Sequence, residues 1–254
     1  MKTIAIMIEK GGAGKTTTAA AVGHILSRSN RVLLIDADQQ GNLSSLFGVA
    51  DPEDRGLAAL LEAVHGEITV ADVVKKSTVC DVDVIPANGY LMDTNMEIAA
   101  DQENDQIRRL RTALEDPAVT AAYDYVVIDC GLLLDMTVLN ALVAADLVVV
   151  PVKVGGFEAA ALQNLANQAE QLRALNPGLT LRSFLAMAGR NKASQEFGAW
   201  LQSYDQVQAF QTVVSRSVVV ERASIYAQPV TVYRPKSKPA KEYAALTAEI
   251  EEVL

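Results

Sequence analysis

Short runs of apolar, β-prone residues recur along the chain, separated by stretches whose apolar positions repeat at helical spacing. Residues 3–8, 31–35, 82–86, 125–128, 147–152 and 181–187 read as buried strands, and residues 16–27, 157–175, 193–201 and 240–253 as helices. This alternation predicts right-handed crossovers and a mostly parallel, twisted sheet with helices on both faces. In such sheets ligands bind in the loops beyond the carboxyl ends of the strands. The stretch 51–106 lacks the rhythm and is expected to be a helical or irregular insertion rather than a second domain.

Composition narrows the picture. Half of the 254 residues are hydrophobic but only 5% are aromatic, so the core must be built from Ala, Val, Leu and Ile, as in a sheet covered on both sides. Disorder and disulfide scaffolds are excluded, and one α/β domain spanning 1–254 is expected. No helix-turn-helix is expected ahead of the first strand. No stretch reaches the ~18 apolar residues of a membrane span, and the N-terminus shows no leader pattern, so a cytoplasmic, non-membrane protein is expected. Cys80 and Cys130 form no CxxC pair, and two histidines, His24 and His65, cannot build a dense metal site. These histidines, Trp200 and the methionines read as core or surface residues.

The formal charge of −9 argues against indiscriminate polyanion binding. Its distribution softens that: residues 182–241 carry nine basic side chains against three acidic ones.

The chemistry is concentrated in Lys10-Gly11-Gly12-Ala13-Gly14-Lys15-Thr16-Thr17, between the first strand and the first helix. Glycines let successive N–H groups turn inward around a phosphate chain, Lys15 supplies positive charge to the β- and γ-phosphates, and the Thr16 hydroxyl suits a Mg²⁺ shell. Thr17 adds a hydroxyl for the α-phosphate. The general pattern GxxxxGK[ST] fails at its first position, where Glu9 stands; Glu9 must point away from the nucleotide or pair with a lysine. The deviant form KGGxGKT resembles the ParA/MinD family of P-loop ATPases. That resemblance implies a single-domain P-loop NTPase using ATP and Mg²⁺, with Lys10 reaching across a dimer interface to the partner's nucleotide.

Two strand ends carry carboxylates. The segment from Val32 to Asn42 resembles the family's LLIDxDPQGN, which assigns Asp38 to orienting the attacking water and Asp36 to the metal environment or its hydrogen-bond network; Gln39 replaces the usual proline. The strand ending in Asp129 has the Walker B form that holds Mg²⁺. Asn140-Ala141-Leu142 to Asp146 and the strand ending Pro151-Val152 also match the family. After Asp129 the family places two prolines, whereas this chain has Gly131-Leu132, whose N–H groups could both donate to a γ-phosphate. Cys130 reads as a small strand-end residue.

The last third, from Thr212 to Ala223 with Pro229-Val230 and Ala240 to Tyr243, is similar to the ParA/Soj pattern, with Ser215 in place of a proline. The resemblance implies non-specific DNA binding by Arg216 first, then Arg222, Lys236 and Lys238, once ATP pairs two copies, and an adenine contact at Asn191. It implies slow hydrolysis stimulated by a ParB-like partner, and nucleoid association of the ATP form. A MinD-like membrane regulator would need a basic amphipathic C-terminal helix, but the chain ends acidic. An iron–sulfur member would need more cysteines. A nucleotide switch that never turns over fits the altered loop after Asp129.

Overall fold

Strands β1 (Lys2–Ile6), β2 (Val32–Ala37), β3 (Lys75–Lys76), β4 (Asp83–Ile85), β5 (Tyr125–Cys130), β6 (Leu147–Val152), β7 (Thr180–Leu185) and β8 (Gln208–Ala209) form one sheet in the order β3-β4-β2-β5-β1-β6-β7-β8. The computed structural model describes residues 1–64 and 66–254, so His65 lies outside the described residues. All pairings are parallel except β3 with β4. Every residue of β2 and β6 is buried, as strands covered on both faces require. The chain runs from β1 to β2 and β4 on one side, returns to β5 beside β1, and then crosses to β6 on the other side. The carboxyl end of β1 is therefore the point where the winding reverses, and a crevice opens there.

Two apolar layers sandwich the sheet. One, around Val22, Leu34, Val127 and Val149, is closed by the helices Lys15–Leu26 and Lys238–Val253. The C-terminal helix starts with the Ser237 hydroxyl accepting from Ala240 N, with Pro239 in its first turn. It buries Ala240, Tyr243, Leu246, Thr247 and Ile250, which lie on one stripe at helical spacing. The other layer takes in Leu57, Leu61, Leu91, Ile98 and Leu110, so the 51–106 stretch shares the sheet's own core. Asn140 fastens it: Nδ2 donates to Gln106 O at 2.8 Å and Oδ1 accepts from Leu110 N at 3.2 Å. Asp146 accepts from Thr3 N at 2.8 Å, so two of the family-like residues serve as internal fasteners.

The element boundaries depart from the sequence reading where special backbone begins. The first run was expected to continue to Ile8, but β1 stops at Ile6 because Met7 and Ile8, though buried, already enter the glycine bend. The helix Met136–Ala144 shows no helical periodicity in sequence because nearly all of it is buried. The helix Val218–Ile225 opens with three β-prone valines, yet the Ser217 side chain accepts from Val219 N and starts it.

Candidate functional site

The bend after β1 is shaped by two left-handed glycines, Gly12 (φ 64°) and Gly14 (φ 94°). Gly14 caps the helix Lys15–Leu26 without any side-chain bond, which leaves first-turn N–H groups free for an anion. A Cβ at Gly14 would also meet Met187 Cε at 3.3 Å, whereas at Gly11 and Gly12 nothing lies within 4 Å. The Lys15 ammonium spans the bend, donating to Ile8 O at 3.3 Å and Lys10 O at 3.4 Å. A cleft of about 650 Å³ opens over these residues, walled by Gly11 to Thr17, Asp38, the 131–135 loop and Met187.

Strand register places Asp36 directly beside Asp129 on the neighbouring strand, a juxtaposition no local motif reveals. Asp36 is fully buried: Oδ2 accepts from Ser44 N (2.8 Å) and Ser44 Oγ (2.7 Å), and Oδ1 from Asp38 N (3.2 Å). Desolvation pushes it up to about 7 despite those bonds. Its oxygens face its own chain and it does not line the cleft, which places it in the hydrogen-bond network of the strand end. Asp129 is different. Both its oxygens are buried without a hydrogen-bond partner among the described residues. Burial first, then the Asp36 charge, hold it well above the ordinary carboxylate range, while Thr16 and Lys15 pull the other way. A buried carboxylate pair of this kind is satisfied by a proton or by a cation. Asp38 is half-buried on the cleft wall, with Oδ1 accepting from Gln40 N at 3.0 Å.

The 131–135 loop corrects one expectation. Gly131 N donates to Ala37 O at 3.1 Å, so only Leu132 of the pair keeps an uncommitted N–H. Leu132 and Leu133 are exposed at the rim. Asp135 escaped the sequence reading: it starts the helix Met136–Ala144 by accepting from Val138 N at 3.0 Å, and its other oxygen accepts from Asn95 Nδ2 at 3.1 Å. Asn95 Oδ1 accepts from both Thr137 N and Thr137 Oγ1. All three line the cleft. An aspartate before a helix was the only available signal for Asp135, and Asn95 had none. Met187 also leaves the core-or-surface class: with φ 52° it packs against Gly14 and stands between the cleft and an adjoining cavity of about 490 Å³.

Glu9 turns away from the bend, accepting from Gln168 Nε2 at 3.3 Å. Lys10 also lies outside the cleft, its Nζ 5.4 Å from the centre of the Phe157 ring. Asn191 lines the adjoining cavity beside Thr17, while its Oδ1 accepts from Ser194 N at 2.9 Å to begin the helix Lys192–Gln202. Farther out, Arg216 pairs with Glu221 (3.9 Å), and Lys238 with Glu242 (3.3 Å) and Ser215 Oγ (2.8 Å). Arg222 and Lys236 are exposed and have no ion pair among the described residues. Cys130 is sealed off and Cys80 half-buried; burial raises both thiols, Cys80 to about 11, so neither is a ready thiolate.

The geometry has relatives. A family model described as an AAA domain matches residues 1–181. The chromosome partitioning protein ParA of Caulobacter vibrioides is 34% identical over 98% of this chain and 94% of its own. The sporulation initiation inhibitor protein Soj of Bacillus subtilis is 33% identical over 98% of each chain. The fold is shared with cobyrinic acid a,c-diamide synthase from Mycobacterium smegmatis, solved with an ATP analogue and magnesium, at a TM-score of 0.84, 22% identity and coverage of 99% and 95%. With a glycine bend, a strand-end carboxylate pair and sequence kinship over nearly its whole length, the chain belongs to the ParA/Soj family of P-loop proteins.

Proposed function

We propose that the protein is a DNA-partitioning ATPase: it binds ATP with Mg²⁺, pairs with a second copy, binds DNA without sequence preference, and hydrolyses ATP slowly until a ParB-like partner stimulates it. The observation that carries this reading is Asp129, a buried carboxylate with two unpartnered oxygens beneath Thr16 at the mouth of the glycine bend. The residues fit a magnesium ion: Thr16 and Asp129 would hold it, and the ion would neutralise phosphate charge there. Asp36, committed to Ser44, positions the strand end behind it.

The chain's own groups supply the rest. The N–H groups of Gly11 to Gly14 and the Lys15 ammonium neutralise charge on the β- and γ-phosphates, which is most of what phosphoryl transfer asks of a protein. Asp38, on the cleft wall, orients a water for in-line attack, and Thr17 and Asn191 face the nucleoside side. Lys10, turned outward, serves the other copy of the pair. With one carboxylate to activate water, basal turnover is slow.

DNA binding rests on the basic surface of residues 182–241, where two copies side by side neutralise more phosphates than one. Arg222 and Lys236 are available at once; Arg216 and Lys238 must exchange a carboxylate for a phosphate. The competing MinD-like reading needs a free basic amphipathic helix, whereas the apolar face of the acidic helix Lys238–Val253 is spent on the core.

The test is DNA co-sedimentation with ATP, ADP or no nucleotide over a salt series, comparing wild type with Lys10→Ala and Arg216→Ala. Binding is expected only with ATP, weakened by either change. Equal retention in all three nucleotide states would overturn the switch.

A further inference from the structure

The helix Gly156–Leu172 touches the two residues that lead into the glycine bend and fixes each in a different way. Gln168 Nε2 donates to Glu9 Oε2 at 3.3 Å, and the Phe157 ring lies under the Lys10 ammonium at 5.4 Å. Phe157 stands at the start of this helix and is 79% exposed, so core packing does not explain its place. Its neighbour Glu158 is directed to Lys153, at 3.8 Å, leaving the aromatic face to hold the lysine. The consequence is that Gly11 through Thr17 all line the cleft while Lys10, one residue earlier, does not.

We infer that the Phe157 ring is a resting dock for the Lys10 ammonium, holding it off its own cleft until a second copy of this chain pairs with it. This rests on the proposed pairing on ATP. An exposed cation–π contact biases an equilibrium by only about two- to five-fold, strong enough to set the resting position and weak enough to be given up for a phosphate. Phe157 is thus a positioning residue acting through Lys10. Removing its ring lowers the threshold for pairing, because the lysine no longer has to be released.

The experiment uses the full chain with ¹³C-labelled lysine, the Lys10 signal assigned by Lys10→Arg. In the nucleotide-free protein the Lys10 ε-protons are expected to be shifted upfield by the ring, to lose that shift in Phe157→Leu and to keep it in Phe157→Tyr. Adding a non-hydrolysable ATP analogue with magnesium should abolish the shift in wild type as light scattering reports pairing. Phe157→Leu should pair at about two- to five-fold lower analogue concentration, whereas Phe157→Tyr, which keeps the ring, should pair as wild type does. Absence of the ring shift in the nucleotide-free protein, or its persistence in the paired protein, overturns the dock. A higher pairing threshold in Phe157→Leu also overturns it, since the ring would then be an ordinary interface residue. A chain that stays single at saturating analogue while the nucleotide-free shift is present overturns the pairing reading itself and takes the release step with it.

Discussion

Two charged regions sit on opposite terms with water. At the carboxyl ends of β2 and β5, Asp36 and Asp129 are fully buried side by side, and neither Asp129 oxygen has a hydrogen-bond partner within normal geometry among the described residues, although Thr16 and Lys15 lie close enough to favour its charge. Around residues 216–238 the charges are exposed, and Arg216 and Lys238 already have carboxylates of their own. The first region is satisfied only when the pair takes up a proton or a cation; the second is stable in water as it stands. Buried charge without a partner is costly, whereas an exposed ion pair is worth at most about 1 kcal/mol. The contrast therefore ranks the proposals: the nucleotide site follows from the fold's electrostatics, and the DNA surface from charge sign and kinship.

The sharpest way to break this contrast is to satisfy the buried pair by mutation. Asp129→Asn removes one of two adjacent carboxylates and should abolish magnesium-dependent ATP turnover by at least ~100-fold, while the nucleotide-free protein becomes more stable. The stability effect has a defined pH sense. Both carboxyls are raised in the fold, so the folded state holds protons that the unfolded chain releases above about pH 4. Their contribution is complete below that value and is lost as pH climbs through about 7, the position of Asp36. Thermal melts of the nucleotide-free protein should fall from pH 6 to 8 in wild type and fall less in Asp129→Asn. A melt that does not respond to pH would mean that the pair is not buried as described.

Gly14→Ala tests the same region through the backbone. At φ 94° with Met187 Cε in contact range, alanine is strained whichever way Met187 moves. It should cost about 1–3 kcal/mol and displace the helix start that carries Lys15 and Thr16. Gly11→Ala, with open space and no left-handed angle, should be tolerated in the nucleotide-free protein yet weaken nucleotide binding by crowding the phosphate path.

Legibility from sequence follows the same division. Six of the eight described strands, the glycine bend and the strand-end positions of Asp36, Asp38 and Asp129 were readable because each sits in a contiguous run whose residue types serve one local purpose, whereas the two-residue edge strands β3 and β8 are too short to leave a pattern. What was hidden depends on register or on side chains meeting from afar. The Asp36–Asp129 adjacency belongs to strand pairing; Asn95 reaches Asp135 and Thr137 from 40 or more positions away; Met187 reaches Gly14 across the sheet. The Met136–Ala144 helix was invisible because burial on nearly all sides erased its period. Charge counting found the basic surface but could not see that Glu221 and Glu242 occupy two of its four nominated residues.

That occupancy yields a smaller prediction for the DNA surface. If partnered charges contribute less, Arg222→Ala and Lys236→Ala should each weaken ATP-dependent DNA binding several-fold at low salt and reduce the slope of log affinity against log salt by about 1. Arg216→Ala should do less, and Glu221→Gln, which frees Arg216, should strengthen binding. Arg216→Ala exceeding Arg222→Ala in a salt series would show that the ion pair opens on DNA, and the contrast between the two regions would lose its force.

The smallest expected effect comes from a titrating group in neither region. His24 lies half-buried on the first helix, its Nδ1 2.8 Å from Thr231 Oγ1, and burial, aided by Arg28, holds it down at about 4. A lowered histidine favours the neutral ring in the fold, so the stability it confers is present above its unfolded value near 6.5 and is lost as pH falls toward 4. Because the ring is partly solvated, the loss is modest. His24→Gln should flatten the acid limb of the stability curve between pH 6 and 4 and leave the alkaline limb to Asp36 and Asp129. The two contributions overlap between about pH 4 and 6.5 with opposite sign, so each is read as the difference between wild type and its own variant, at position 24 or at position 129. If His24→Gln altered the alkaline limb too, the first helix would be transmitting strain to the glycine bend at its other end, and the cleft could no longer be treated as electrostatically self-contained.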